Sequence, residues 1–334
     1  LRSSRKVYGI VLALVVLIVA WSAFWKLAAS ATSAALDDWF AAERAAGRNW
    51  TCAERTIDGY PFRIAIRCAS PTFSGLVARA RVMGSTGDIV AAAHVLDPNL
   101  ILAEIASPLR VQGPLDHGSL TLEWRELRVG YRSRDGAPQL GSIDIRAPVL
   151  KMTQGPTEID LSAESLSLAA SPEAGRPSDG DITLSIKGAT IPALDAATRE
   201  NAPLDLSMAA TVTKIDAFSH PAGGPPAERW RRAGGNLRMT RAKLNKGDMI
   251  VDATGALDLD EAHRPRGNVD IAADGLAPLL DRFGVPASVL AIGSLLSGNK
   301  NDGRPNGARL SLSLRDGRAS LGPIRLPVAI APLY

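Results

Sequence analysis

Residues 49–68 read NWTCAERTIDGYPFRIAIRC. Ile64 and Ile66 alternate with Arg63, Ala65 and Arg67, the period of two that marks a half-buried strand. Asp58-Gly59, a strong hairpin-turn signal, precedes that run, and Arg55-Thr56-Ile57 lies on its other side. The pattern predicts a hairpin carrying Cys52 and Cys68 on its two arms, 16 positions apart. Outside the cytoplasm such a pair reads as a disulfide. Closing a loop of that size stabilises the fold by roughly 3 kcal/mol in the chain-entropy model. C-x-x-C spacing, the usual mark of a redox-active pair, is missing here. Trp50, Tyr60 and Phe62 surround the cysteines in a chain with only 5% aromatic residues. They either plug a local core or close one end of an apolar groove.

Toward the N-terminus the pattern is helical. Residues 7–25, VYGIVLALVVLIVAWSAFW, contain no charge. As a helix they span roughly 28 Å, close to the hydrocarbon thickness of a bilayer. Trp21, Phe24 and Trp25 gather at one end, where aromatic rings favour the headgroup boundary. Arg2, Arg5 and Lys6 precede the run, which places the N-terminus in the cytoplasm by the positive-inside rule. A cleaved secretory signal is the alternative, since Ala29-Ser30-Ala31 offers a small-x-small site. The apolar run is longer than secretory signals use, which favours a retained anchor. Residues 1–26 are thus read as a cytoplasmic tip and transmembrane anchor, and residues 27–48 as an amphipathic helix. Leu36, Trp39 and Phe40 fall at helical spacing on it and are expected to pack on the following sheet; lying on the membrane surface is the alternative.

Toward the C-terminus, residues 49–334 read as one extended β-rich domain, with a candidate subdivision at 219–235. Residues 76–82, 89–96, 100–105 and 109–111 form short apolar pieces, with Gly84–Gly87, Asp97-Pro98-Asn99 and Ser107-Pro108 as turns. A loose repeat comes next: Gly118-Ser119-Leu120-Thr121-Leu122, Gly141-Ser142-Ile143-Asp144-Ile145, Gly180-Asp181-Ile182-Thr183-Leu184 and Gly235-Asn236-Leu237-Arg238-Met239. Its spacing is too irregular for a solenoid and suits a long antiparallel sheet with one apolar and one wet face. Further strands are expected at 159–168, 204–212, 249–259 and 268–272. Residues 171–180 read as a loop, 225–233 as a short helix, and 275–298 as two short apolar helices with Pro286 opening the second.

Charge and motif content exclude several functions. The chain carries 38 basic and 34 acidic residues, and Arg2, Arg5, Lys6 and Lys26 alone equal the net excess of +4. The basic pI of 9.2 therefore reflects the anchor flanks, and nucleic acid is not an expected partner. The histidines, His94, His117, His220 and His263, form no H-E-x-x-H or H-x-H motif and read as surface residues. No nucleophile elbow or P-loop occurs. Asn299–Gly303 lacks the acid ladder of a calcium loop and reads as a turn. Asp258, Asp260 and Glu261 read as a solvated strand end rather than a catalytic pair. No catalytic residue, metal site or cofactor is expected.

The anchor, the Asp58-Gly59-Tyr60-Pro61-Phe62-Arg63 stretch between two cysteines, and the ending Gly322-Pro323-Ile324-Arg325-Leu326 together resemble one uncharacterised alphaproteobacterial envelope family, domain of unknown function 2125. That resemblance supplies no activity and no catalytic residues. It implies an inner-membrane, single-pass protein with its main domain in the periplasm. More distantly, residues 275–280 followed by 310–326 are similar to the ends of AsmA-like envelope proteins, which are anchored, β-rich and associated with lipid or outer-membrane homeostasis. The expected fold is mainly β with a few α-helices: an N-terminal transmembrane helix, then a long twisted antiparallel sheet curled around an aliphatic face. The expected function is non-enzymatic, with lipid or another apolar ligand held in a sheet groove. A structural protein with a closed core and an envelope protein partner is the second reading, and an exported enzyme of unfamiliar type the third.

Overall fold

A computed structural model describes residues 2–77, 80–113, 118–134, 137–219, 225–276, 308–322 and 324–333. The expected apolar helices from residue 277 onward, Asn299–Gly303, His117 and His220 lie outside these residues. The fold is mainly β, with antiparallel sheets that do not close on themselves and a long apolar helix at the N-terminus. The chain divides into two compact units, residues 1–135 with 152–158, and residues 136–151 with 159–334.

The first unit opens with helix α1, Arg2–Ala45, which is continuous from the basic flank through the apolar run. It ends before Gly47, which takes φ +76. Next come strands β1 (Asn49–Thr51), β2 (Glu54–Asp58), β3 (Arg63–Ala69), β4 (Thr72–Val77), β5 (Ala80–Ser85), β6 (Ile89–His94), β7 (Asp97–Ile105), β8 (Leu109–Gln112), β9 (Ser119–Glu123) and β10 (Glu126–Arg134). They form two antiparallel orders, β1-β4-β5-β8-β9 and β2-β3-β6-β7-β10. Successive strands on either side of a short break therefore belong to different sheets. Pairing persists at the breaks: the Gly87 N–H donates to the Ala106 carbonyl at 3.1 Å, and the Ala106 N–H to that of Asp88 at 2.8 Å. Trp124 is buried at one break and donates its indole N–H to the Ile105 carbonyl at 2.8 Å.

In the hairpin between β2 and β3, Asp58 faces Ala65 and Arg55 faces Cys68. Gly59 takes φ +102, and a Cβ there would stand 2.9 Å from the Arg63 carbonyl oxygen, so the turn requires glycine. Cys52 lies between β1 and β2 and is disulfide-bonded to Cys68, with Cα atoms 5.3 Å apart.

Two turns differ from the sequence reading. Residues 76–82 are divided between β4 and β5, with Val77 opposite Ala80. Asp97-Pro98-Asn99 is the start of β7 rather than a turn, with His94 opposite Asp97. The chain reverses at Val95-Leu96, two apolar residues with no glycine or proline to mark them.

The second unit continues with β11 (Ala137–Arg146), β12 (Val149–Gln154), β13 (Thr157–Ser162), β14 (Ser165–Glu173), β15 (Arg176–Ala189), helix α2 (Pro192–Thr198), β16 (Leu204–Val212), helices α3 (Asp216–Ser219) and α4 (Pro226–Arg232), then β17 (Leu237–Lys246), β18 (Met249–Leu259), β19 (Pro265–Asp274), β20 (Ala308–Arg315), β21 (Arg318–Leu321) and β22 (Ile324–Ala329). The chain passes between the units within β12 and β13. The second unit's strands run in the order β11-β14-β15-β16-β17-β18-β19-β20-β21-β22. The loop expected at 171–180 is a tight hairpin: Glu173 faces Arg176, their side chains pair at 3.0 Å, and Gly175 takes φ +79. Cross-strand pairing of a carboxylate with a guanidinium favours this register.

Helix α4 packs back onto the unit rather than leaving it. Trp230 is buried, stacks on Phe218 with centroids 6.2 Å apart, and donates to the Thr213 carbonyl at 2.7 Å. Gly235 leaves room for that indole, since a Cβ there would meet it at 2.2 Å.

Lys246, only 1% exposed, donates to the Asp195 carboxylate of α2 and to the Ala202 carbonyl at 2.6 Å. Removing one partner of a buried charge pair costs about 3–5 kcal/mol, whereas replacing both with apolar groups is often neutral. Lys246→Met is therefore expected to lower the unfolding free energy by about 3 kcal/mol in a denaturant titration. Adding Asp195→Leu should restore most of it; a single variant with an unchanged midpoint would contradict this role.

Between β18 and β19, the Asp260 carboxylate accepts the Arg264 backbone N–H and its guanidinium, each at 2.9 Å. The backbone N–H of Arg264 is the main reason its carboxyl lies below the ordinary range; burial opposes the shift, and the guanidinium adds to it. A depressed folded-state value contributes stability that is present above the unfolded value of about 3.9 and lost as pH falls through the lower folded value. Asp260→Asn should thus lower the thermal midpoint at pH 7, with the gap closing in acid below about pH 4. A gap independent of pH would refute the charge contribution.

Candidate functional site

The second unit's register carries apolar positions onto apolar partners across the sheet. One row runs Ile143, Leu168, Leu184, Met208, Ala242, Ala253, Ile271 and Leu310, each directly opposite the next. A second runs Ile145, Leu166, Ile186, Leu206, Leu244, Val251 and Ala273. A third runs Gly141, Ala170, Ile182, Ala210, Met239, Gly255, Val269, Leu312 and Leu321. Directly opposed antiparallel residues share a face, so these rows form one aliphatic surface.

Two register shifts keep that surface continuous. In β17 the apolar positions change parity, from Leu237 and Met239 to Ala242 and Leu244. The register shifts there on both neighbours, so Thr240 and Arg241 absorb the extra residue. In β15 a shift between Ile186 and Ala189 does the same, keeping Ala189 opposite Leu204.

The central residues of the rows, including Leu168, Leu184, Met208 and Leu244, are half-buried, while Ala210, Val269, Ala273 and Leu310 are buried. Leu310 and Leu321 pack with Leu276, Leu312 and Leu326. The opposite alternation is polar: Asp144, Ser167, Ser185, Ser207, Lys243 and Asp252 face one another in turn. A hollow of about 370 Å³ is lined mostly by this opposite alternation, Asp144, Ser167, Thr183, Ser185 and Ser207 among others, with Leu168, Leu184 and Met208 lying between them along their strands. Another, of about 480 Å³, is lined by Asp252, Thr254, Asp270, Ile271 and Leu310, among others.

In the first unit, the residues expected to act together divide between two contacts with α1. Trp50 packs on Phe73 at 5.1 Å and Trp39 at 6.0 Å, and its indole donates to Glu43 at 3.2 Å. Arg48 also binds Glu43, and its hydrogen bond is the chief reason that carboxyl lies below its ordinary range. Arg55 pairs with Asp37 at 2.7 Å and lies over the Phe40 ring. Tyr60 and Phe62 meet the helix some 14 residues earlier: Trp25 packs edge-on against Tyr60 at 5.6 Å, and Trp21 lies 6.3 Å from Phe62. Phe24 packs on Trp21 at 5.7 Å and stays half-exposed.

Of the histidines and carboxylates singled out in the sequence, His94, His263, Asp258 and Asp260 are engaged structurally. His94 stacks on Phe62, and His263 lies 3.3 Å from Glu228. Asp258 pairs with Arg266 at 2.8 Å, and Asp260 with Arg264. Among the described residues no group of three or more His, Cys, Asp or Glu is placed to hold a metal ion.

The Lys246–Asp195 pair and helix α2 were missed in the sequence. Pro192 at the first helical position was the available signal for α2. For Lys246, an ordinary strand-end lysine, there was none.

Helix α1 is long and apolar enough to cross a membrane, and the side chains of its apolar run are exposed. The model of one bacterial protein family, described as an uncharacterized protein conserved in bacteria, matches residues 25–332. No curated protein and no solved structure matches the chain. Matched over nearly its whole length, the chain belongs to that family, DUF2125.

Proposed function

We propose that the protein is a non-enzymatic component of the bacterial envelope, tethered in the inner membrane by α1, with both units in the periplasm, and that its second unit holds an apolar ligand, a lipid chain, against the aliphatic face of its sheet. The observation that carries this reading is the set of unbroken apolar rows whose central members, Leu168, Leu184 and Met208, are only half-buried among the described residues. Aliphatic surface left partly open to water is costly, and burying it against a chain of CH₂ groups recovers about 25 cal/mol per Å². The tether supports the reading by keeping that surface near a membrane. The basic flank Arg2, Arg5 and Lys6 supports a cytoplasmic N-terminus.

Native mass spectrometry of the full chain, extracted in mild detergent, tests this. Phospholipid should remain bound. Leu184→Gln with Met208→Gln should reduce its occupancy by roughly tenfold, because a polar amide is poorly accommodated against hydrocarbon. Ser185→Gln with Ser207→Gln, on the opposite alternation, should leave occupancy unchanged. Absence of lipid from the wild type, or equal retention by both variants, would overturn the proposal.

A second reading rests on the strand order, which ends at β22 among the described strands. A sheet end can pair with another chain, so an envelope protein partner at β22 is the alternative. A photoreactive group at Arg325 would then crosslink one discrete protein in membranes.

A further inference from the structure

We propose that the first unit makes a second contact with the membrane, in which the turns 59–62 and 95–96 sit in the headgroup region of the phospholipid bilayer beside α1.

The exposed apolar run of α1 extends from Tyr8 through Val19, and its aromatic end comes immediately after. Over little more than one helical turn, three hydrogen bonds fix the β2–β3 turn to that end. The Trp21 indole donates to the Pro61 carbonyl at 3.0 Å, the Trp25 indole to the Arg63 carbonyl at 2.8 Å, and the Ser22 and Tyr60 hydroxyls share a bond at 2.9 Å. The height of this turn along α1 is therefore set by residues 21–25, where the uncharged run ends.

The neighbouring turn is held at the same level. The Val95 N–H donates to the Phe62 carbonyl at 2.9 Å, and the rings of Phe62 and His94 stack with an interplanar angle of 3°. Beyond them stands Leu96. Tyr60 is 50% exposed, Phe62 58% and Leu96 73%, so three large apolar side chains project from adjoining turns. Tyr60 and Phe62 rest against Trp25, Trp21 and His94, yet half or more of their surface, and most of that of Leu96, stays uncovered by the described residues of their own unit. With α1 as the membrane tether proposed above, on which this inference rests, the apolar phase at that height is the bilayer around the helix. Tyrosine and tryptophan favour the headgroup boundary, which matches the polar hydroxyl and indole N–H groups engaged there. Asp58, Arg63 and Asp97 at the stems are charged, which limits the contact to the tips.

A probe at Leu96 tests this in the full chain. Cys52 and Cys68 are joined to each other, so Leu96→Cys introduces the one reactive thiol. It would be labelled with an environment-sensitive nitrobenzoxadiazole group and reconstituted into vesicles of phosphatidylcholine and phosphatidylglycerol. Ser207→Cys, on an exposed strand position of the second unit, serves as the reference. The Leu96 probe should emit to the blue of the reference, show roughly threefold less quenching by aqueous iodide, and be quenched by lipids carrying a nitroxide high on the acyl chain. Iodide quenching equal to the reference would overturn the proposal. Shielding from iodide without quenching by spin-labelled lipid would also overturn it, because it would mean that protein covers the turns. Neither outcome bears on the ligand assigned to the second unit, whose test reads bound lipid at Leu184 and Met208.

Discussion

Register is the constraint on which the rest of the molecule depends. In a sheet with one aliphatic face, sliding a strand by one residue sends every apolar side chain to the wrong side. Across the second unit the pairing holds Ile143, Leu168, Leu184 and Met208 in line from strand to strand. The sequence does not keep a perfect alternation over that distance. Where parity fails, at Thr240-Arg241 and between Ile186 and Ala189, the backbone takes up the extra residue and the surface continues. The bulges are thus what allow a long aliphatic face to be built from an imperfectly periodic chain.

Helix α1 presents two different surfaces along one axis. Its first half exposes Ile10, Leu12, Leu17 and Val19, a surface suited to hydrocarbon. Its second half meets protein through Trp39 on Trp50, Asp37 with Arg55 and Glu43 with Arg48. The change of partner falls at Trp21 and Trp25, whose indoles are amphipathic and serve both environments. The resulting joint is specific because both indoles bind backbone carbonyls beside a single turn, while Ser22 meets the Tyr60 hydroxyl.

Much of this was legible in residues 49–68. Asp58-Gly59 marked the hairpin, the isoleucines marked its inward face, and the cysteine spacing fitted its two arms. The uncharged run of residues 7–25 was equally plain, as was the mainly antiparallel character of the chain beyond residue 49. The positions where strands begin and end were chiefly what the sequence concealed. Val95-Leu96 turns without glycine or proline, because the pairing on either side forces a reversal there. Residues 159–168 read as one strand, yet the chain breaks at Ala163-Glu164 between β13 and β14. Local propensity is blind to such breaks because both halves remain extended. In the candidate site, the aliphatic alternation was visible strand by strand, but the rows were not, since they exist only once the register is known. The burial of Lys246 depends on Asp195 and Ala202, more than forty residues away, and no local pattern could announce it.

The broken strands of the first unit carry a mechanical consequence. At each break, from Cys52-Ala53 to Trp124-Arg125, the chain leaves one sheet and enters the other, so the two sheets are joined by a series of short connections rather than a single linker. A joint made of parallel straps resists shear and twist while still permitting flexure about the line of the breaks. The disulfide lies on that line, with Cys52 inside the first break and Cys68 just before the second. It ties the first two breaks together at the end of that line nearest helix α1, so the chain leaving the helix enters both sheets through a cross-linked joint.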